Sequence, residues 1–318
     1  MPSPETTLKG ISNVGDSLLG SQLKSNIITF YNWGMLGIGG FFNANIGDVA
    51  PYGGDPSRLR LVDDPNYNRG QVWEGHRQEW VWETGVAHSQ QPTHVSGVWV
   101  NSSFHGIDAT GTYAHHINYP EGRVVFDTAI SPTSLVQANH SYRWMPFVDI
   151  DTPWFKEVMY ESFRVDNSDF LTEGSGSWSQ LAKTRTQLPV VGVEIIPSRR
   201  LVPYQLGGGQ AVHQDIKFHV MAETDWERSQ IMDIISYQND KEVFLFDVNT
   251  ITYPLDHNGT PVSDHDIYTD FVKPTGEGGS FWRKCRFIDT RSEEKSKINQ
   301  SLFMGSVRTT CEVIMGMI

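Results

Sequence analysis

The order of apolar and polar positions near the start of the chain predicts one amphipathic helix. Apolar residues recur there at intervals of three and four, which places them on one helix face. Asp16 or Ser17 is suited to cap the start, because a short polar side chain can accept a hydrogen bond from a free backbone N–H group. The glycine-rich run 33–40 predicts that the helix ends near Asn32 or packs very closely on a neighbour, and residues 1–15 read as a polar, extended arm. The apolar stripe consists of Leu19, Leu23, Ile27 and Phe30.

Residues 71–150 show short stretches in which apolar and polar positions alternate, a pattern that indicates antiparallel strands. The tryptophan-rich segment 72–83 is predicted to be a strand that bends near Gly75. The clearest hairpin joins 112–119 to 123–126 across a Pro-Glu-Gly turn. This part of the chain therefore reads as an antiparallel β module. Its other predicted strands are 95–100, 104–107 and 141–148.

The second half of the chain combines longer strand-like stretches with one clear helix. Thr224 or Asp225 is predicted to cap a helix that runs to about Tyr237. A short helix is predicted to begin at Pro153, and a turn is predicted at 207–209. The order β-β-α-β-β-β is typical of an α+β module. The strands are predicted at 190–196, 212–222, 242–248, 279–288 and 306–315.

Together these patterns predict a β-rich fold of the α+β class. Its 318 residues are enough for about two domains. Residues 1–50 are expected to hold the arm, the helix and a glycine-rich turn. Residues 51–150 are expected to form the antiparallel β module, and residues 151–318 the α+β module with its short leading helix.

Charge and composition narrow the classes of function. The formal net charge is −12, and a chain this acidic is a poor candidate for gripping phosphate backbones, which requires clustered Lys and Arg. The sequence has no apolar run of membrane-spanning length and no signal-peptide pattern, so we expect no membrane association and no leader. Cys285 and Cys311 lie in strand-like segments and are predicted to be reduced thiols of the core.

No motif in the sequence indicates catalysis, a metal ion or a cofactor. His115 and His116 are adjacent on a predicted strand, where neighbouring side chains point to opposite faces, so they cannot both bind one metal. The acidic, histidine-containing segment 254–270 lacks calcium-loop spacing, and 256–259 fits a hairpin turn better than a cation loop. The Gly-Ser repeat at 174–177 is not preceded by the strand that a serine nucleophile elbow requires. We therefore expect no catalytic residue, no metal and no cofactor.

Three stretches of the chain carry a family resemblance. The first is RGQVWEG at 69–75 with EWVWE at 79–83, the second is YPEGRVVFD at 119–127 with the segment 130–136, and the third is the strand–helix–strand region 214–249. Together they resemble virion structural proteins of tailed bacteriophages, most closely those of contractile-tailed phages of marine cyanobacteria. The resemblance implies a capsid-to-tail or tail component that is present in several symmetric copies. It carries no functional residue over to this chain.

We therefore predict a non-enzymatic structural protein of a phage virion, assembled in the host cytoplasm as a homo-oligomeric ring of the head–tail neck or tail. The expected partners are copies of itself, adjacent neck or tail proteins and DNA that passes through without specific binding. A negative charge suits a DNA passage, because it repels phosphate, and it suits simple solubility equally well. The arm 1–15, the loop 47–70 and the segment 72–83 are the expected contact regions. The candidate interface residues are Leu19, Leu23, Ile27, Phe30, Trp73, Trp80, Trp82 and Trp99.

The composition leaves other functions open. A baseplate or outer virion protein is equally compatible with it. A glycan-binding module for host recognition would use Trp73, Trp80, Trp82 and Trp99 as stacking platforms, since these rings combine a large apolar face with one polar atom. A hydrolase acting on cell-wall or capsular polymer is the least favoured alternative, because it would need carboxylates at a defined separation.

Overall fold

A computed structural model describes residues 19–49, 54–152, 155, 188–204, 210–263, 267–294 and 302–315. Helix α1 spans Leu19–Gly37, α2 spans Asp225–Ser236 and the short α3 spans Tyr268–Phe271. Four predictions lie outside the described residues: the arm 1–15, the helix cap at 16–17, the helix start at Pro153 and the turn at 207–209.

The strands are short in the N-terminal half and reach 14 residues in the C-terminal half. The N-terminal strands are β1 (Phe41–Ala44), β2 (Arg58–Leu61), β3 (Val72–Glu74), β4 (Gly97–Val100), β5 (Ser103–Gly106), β6 (His115–Asn118), β7 (Arg123–Phe126), β8 (Val136–Gln137), β9 (His140–Arg143) and β10 (Phe147–Asp149). The C-terminal strands are β11 (Val190–Pro203), β12 (Gln210–Ala222), β13 (Glu242–Phe246), β14 (Phe281–Glu294) and β15 (Phe303–Met315).

Seven of the short strands form an antiparallel sheet in the order β5-β4-β8-β2-β3-β7-β6. The predicted hairpin of 112–119 and 123–126 is confirmed as β6 and β7. The predicted pair 95–100 and 104–107 is confirmed as β4 and β5. Strands β1 and β9 form a separate two-stranded ladder. The predicted antiparallel β module is therefore present.

The tryptophan-rich segment is a strand only at its start. The chain leaves the sheet after Glu74, at the predicted bend, and Trp80 forms only an isolated bridge to Tyr142. A side chain at Gly75 would collide with the indole of Trp80, 2.8 Å from the nearest ring atom. The predicted bend near Gly75 is therefore present, but the strand predicted to continue beyond it to residue 83 is not formed, because the Trp80 ring folds back into the core instead of extending the ladder.

The long strands form a six-stranded sheet in the order β10-β11-β12-β15-β14-β13. The pair β10–β11 is parallel, and all other pairs are antiparallel. The predicted order β-β-α-β-β-β and the helix after Thr224 are confirmed, and the Thr224 side chain accepts a hydrogen bond from Glu227 N–H at 3.1 Å. The β-rich α+β class predicted from sequence is therefore confirmed.

Helix α1 packs its apolar stripe into the core of this second sheet. Leu23 and Ile27 are fully buried there, and Tyr31 stacks on Phe147 with ring centroids 4.5 Å apart. The helix ends at Gly37, beyond the predicted end near Asn32, because its last turns are also packed against neighbouring elements. Helix α1 and strand β10, which lie in the segments 1–50 and 51–150, thus both contribute to the C-terminal core.

Amide side chains of α1 hydrogen-bond to both edge strands of the six-stranded sheet. Asn26 Nδ2 donates to the carbonyl oxygen of Phe246 in β13 (2.9 Å), and Asn26 Oδ1 accepts from the N–H of Phe246 (2.7 Å). At the opposite edge, Asn32 makes the same two bonds to Phe147 in β10, both at 2.9 Å. Because one helix reaches both edges, the sheet must curl, and α1 closes the gap between its ends. Covering edge strands in this way satisfies backbone groups that would otherwise pair with another chain.

Neither α1 nor any other helix of the described residues combines the length and the apolar character needed to cross a membrane.

Candidate assembly interface

Two of the four tryptophans predicted to form contacts are buried within the subunit. Trp73 and Trp80 are 3% and 1% exposed and lie in the core of the seven-stranded sheet. Trp80 also stacks on His140 with ring centroids 4.1 Å apart. Neither ring has a face exposed to a neighbouring subunit or to a sugar, so Trp73 and Trp80 are removed from the candidate interface residues. Trp82 and Trp99 are half-buried, and their role in contacts stays a prediction.

The apolar stripe of α1 is also used within the subunit. Leu19, Leu23 and Ile27 are between 0% and 4% exposed and pack against the six-stranded sheet, so they are not available to another copy. Phe30 is partly buried and packs edge-on against Phe287, with ring centroids 6.1 Å apart. Apolar periodicity reveals that a helix face is buried, but it cannot reveal whether the covering surface belongs to the same chain.

The end of the long strands exposes apolar side chains that the sequence reasoning did not select. Leu201 and Tyr204 at the end of β11 are 57% and 47% exposed, and Ile314 on β15 is 41% exposed. Strand β11 was predicted to end at Ile196, but it continues to Pro203 as the partner of β12. The available signal was the Leu-Val pair at 201–202, which follows two arginines and resumes the strand-like pattern.

The outer edge of β11 has an open section at this end. Strand β10 pairs only with residues 191–193 of β11. Further along β11, the start of α1 lies close to the Arg199 side chain, because a Cβ atom on Gly20 would be 3.3 Å from Arg199 Nη2. A bulge between Ile195 and Arg199 interrupts the ladder. Beyond it, over residues 200–203, no described strand lies beside β11. Within the described part of the chain, no strand pairs with the outward N–H groups of residues 200–202 or with the outward C=O groups of this section, whose last residue, Pro203, has no N–H.

A second open edge lies at the opposite corner of the same sheet. Strand β13 pairs with β14 only as far as Arg286, and the described residues place no strand beside β14 at 291–294. The register puts 291–294 of β14 level with 217–220 of β12, whereas 200–203 of β11 is level with 210–213. The two open edges are therefore about seven residues, or roughly 24 Å, apart along the strands.

The two open edges differ in charge. Arg199 Nε donates to the side-chain oxygen of Gln214 (3.0 Å), and Arg200 contacts His213 (3.0 Å). Neither partner is a carboxylate, so the β11 edge carries two guanidinium charges; Glu312 of β15 contacts the other ring nitrogen of His213 (3.2 Å). The β14 edge carries exposed Asp289 and Glu293. Arg291 is paired with Asp289 there (3.1 Å).

Between the two edges, the outer face of the sheet forms an open groove of about 310 Å³ lined by charges of both signs. Asp215 accepts hydrogen bonds from Arg308 and from Thr310 Oγ1 (2.6 Å). Burial alone would raise the pKa of Asp215, but these hydrogen bonds outweigh it and hold that pKa below its usual value. Because Asp215 pairs with Arg308 and Asp289 pairs with Arg291, most of the charges that line the groove are paired within it.

A buried charge cluster lies at the joint between the two sheets. Arg143 of β9 is ion-paired with Glu83, and both residues are less than 10% exposed. Glu79 is the second acidic side chain beside this guanidinium, with Oε2 at 3.8 Å from Arg143 Nε. Glu79 has a φ of +53°, a conformation that only a few per cent of non-glycine residues adopt. The cluster therefore combines one cation with two acidic side chains.

Glu79 is expected to make stability depend on pH. Burial raises its pKa from 4.5 to about 7, an effect that Arg143 opposes and Glu83 reinforces. Between these two values the folded chain keeps a proton that the unfolded chain has released, so stability falls as pH rises from 4.5 to 7. At pH 8 the variant Glu79→Gln should be more stable than the wild type by about 1 kcal/mol. The gain is no larger because the Glu79 side chain is partly exposed and solvent screens its charge. Urea unfolding at pH 4 should show no such gain.

The exposed Glu121→Gln is the matched control for Glu79→Gln and should leave the pH profile unchanged. If Glu79→Gln showed the same stability difference at pH 4 and pH 8, ionisation of Glu79 would not be the cause.

The histidines and the acidic turn have structural roles. His115 is buried and His116 half-buried, and successive strand positions direct them to opposite faces, as predicted. Asp256 Oδ1 accepts from the N–H groups of Asn258 (2.8 Å) and Thr260 (2.9 Å), which confirms the predicted turn. No group of three or more His, Cys, Asp or Glu side chains suited to a metal occurs among the described residues.

The two cysteines are buried free thiols, as predicted. Burial raises the pKa of Cys311, and a hydrogen bond with Cys285 raises it further, so this thiol stays protonated. A protonated buried thiol is a poor nucleophile.

Compared with known proteins, the chain matches no family model and no curated protein sequence.

Proposed function

We propose that this protein is a non-enzymatic structural subunit of a tailed-phage virion that assembles with copies of itself into a ring of the neck or tail. The observation that supports self-assembly is at the end of β11, where a backbone edge left open by the described strands lies beside exposed Leu201 and Tyr204. Helix α1 hydrogen-bonds to the edge strands β10 and β13 of this sheet, but among the described residues it does not pair with this end of β11. An edge left open beside exposed apolar side chains is suited to a protein partner, because backbone pairing and apolar burial can act together.

The virion setting of this proposal comes from the family resemblance of the three sequence stretches. Assembly would take place in the host cytoplasm, and adjacent neck or tail proteins would bind the faces that a ring leaves free. The net charge of −12 supports a position around the DNA path. A negatively charged passage repels phosphate, so DNA can pass without specific binding.

Removing the exposed apolar side chains from the end of β11 should weaken self-assembly. In the variant Leu201→Ser/Tyr204→Ser, each lost anchor is expected to cost about 2 kcal/mol, or roughly a 30-fold weaker association per site. Light scattering after size exclusion, over a range of concentrations, should show an oligomer for the wild type and a 35.9 kDa monomer for the variant.

Tyr237→Ser provides the matched control, because Tyr237 is 84% exposed at the end of α2, away from β11. This variant should keep the wild-type mass. A wild-type chain that stays monomeric at every concentration would contradict self-assembly, and an oligomer that survives Leu201→Ser/Tyr204→Ser would show that the contact lies elsewhere.

A further inference from the structure

The two open edges of the six-stranded sheet are matched in direction as well as in charge. Strands β11, β12, β15 and β14 are successively antiparallel. Strands β11 and β14 therefore run in opposite directions within one subunit. If a second copy keeps the same orientation and is shifted by about seven residues along the strands, its open section of β11 runs antiparallel to the open section of the first copy's β14. Antiparallel addition at a sheet edge continues the hydrogen-bonded ladder without inverting either subunit.

We infer that copies of this chain join head to tail, with residues 200–203 of β11 in one copy pairing with residues 291–294 of β14 in the next. This inference rests on the proposed function, which requires self-assembly, and it names the two surfaces that meet. A head-to-tail contact uses two different surfaces of each copy. Such a contact generates a closed ring when the rotation between neighbours closes.

Charge selects this pairing over the symmetric alternatives. Pairing β11 with the β11 of another copy would place Arg199 and Arg200 against the same arginines. Pairing β14 with β14 would bring Asp289 and Glu293 together, and because Arg291 offsets only one of these two carboxylates, each edge keeps an excess of negative charge. Only the head-to-tail contact places the basic edge opposite the acidic edge, and complementary potentials across an interface favour the correct partner while like charges disfavour the wrong one.

Pro197 and the bulge around it limit the length of the contact. Proline has no N–H to donate, and a bulge turns the strand away from a straight ladder, so both protect an edge from unspecific pairing. They precede the open stretch of β11, and Pro203, which also lacks an N–H, ends it, so only residues 200–202 can donate from this section. A short edge of this kind, reinforced by Leu201, Tyr204 and charge, is suited to a defined neighbour rather than to open-ended aggregation.

Reversing charge at one edge at a time tests the inference. Variant A carries Arg199→Glu and Arg200→Glu, which makes both edges acidic. Variant B carries Asp289→Asn and Glu293→Lys, where asparagine tolerates the φ of +52° at position 289. By light scattering, A and B should each fall to the 35.9 kDa monomer at concentrations where the wild type is an oligomer. Combining both sets in one chain should restore the wild-type mass, because the edges are again complementary.

Control C, Asp233→Asn with Glu277→Lys, makes the same change in net charge as B at two exposed positions away from the edge, and it should keep the wild-type mass. Urea unfolding of each variant checks that the subunit still folds.

The outcomes separate this inference from the proposed function. A wild-type monomer at every concentration would contradict both. A wild-type oligomer that B leaves intact would overturn the head-to-tail contact alone, since β11-to-β11 pairing does not involve β14. Loss of assembly in B without recovery in the combined variant would also count against it, because complementary charge would then not be what joins the edges.

Discussion

Replacing Arg143 with methionine is expected to lower the free energy of unfolding by about 3–5 kcal/mol. Arg143 is 7% exposed and pairs with Glu83, which is 3% exposed. Methionine fills much of the volume of the arginine stem but cannot neutralise Glu83. The remaining bond to Glu83 is the 3.2 Å contact from the N–H of Trp82. A buried carboxylate without its counter-ion is costly because it has lost its hydration. Urea unfolding at pH 7 measures the loss.

The double variant Arg143→Met/Glu83→Gln separates the cost of the orphaned charge from the cost of lost packing. Glutamine removes the charge of Glu83 and retains an oxygen that can accept from Trp82. We expect the double variant to recover at least half of the stability that Arg143→Met loses, which is the coupling expected for residues in contact. If the double variant were no more stable than Arg143→Met alone, the ion pair would not be the source of the loss.

Replacing Asn26 with leucine is expected to lower the free energy of unfolding by about 3 kcal/mol. Asn26 is 1% exposed, and its amide group is bonded to both the N–H and the C=O of Phe246. Leucine has a similar volume and offers neither bond, so two backbone groups of β13 would be left buried and unpaired. Each such group costs about 1–3 kcal/mol. Thermal and urea unfolding should both show the loss.

Ser25→Leu is the matched control for Asn26→Leu. Ser25 is the preceding residue of the same helix and is exposed, so leucine there changes helix propensity and surface hydrophobicity without touching the sheet edge. We expect a change within about 0.5 kcal/mol. Equal stability of Asn26→Leu and the wild type would contradict the view that α1 completes the edge of β13.

The position and apolar face of α1 illustrate how much local pattern can predict. Leu19, Leu23 and Ile27 repeat at four-residue intervals, which predicted a helix with one buried side. Gln22 and Asn26 lie on the same helix and read from the sequence as ordinary polar positions. Their function in capping the sheet edge depends on Phe246 and Val248, more than 200 residues later. No local pattern carries that information.

The candidate interface was harder to predict than the fold. Trp73 and Trp80 were selected because exposed aromatics are enriched at interfaces, but the same ring area stabilises a core when its own chain covers it. The strand predicted over 190–196 stops before Pro197 and the two arginines that follow it. Pairing with β12 continues the strand past them, since β12 supplies the backbone partners that the local sequence does not.

By itself the sequence determined the class of fold, the order of most strands, both main helices and the burial of the thiols. These features follow from periodicity, capping residues and turn residues, which act over a few neighbouring positions. The tertiary structure alone decided that Trp73 and Trp80 are buried within the subunit, that α1 reaches both ends of one curled sheet, and that Arg143 contacts both Glu79 and Glu83. It also decided which edges stay open, because pairing between distant strands depends on the packing of the whole chain.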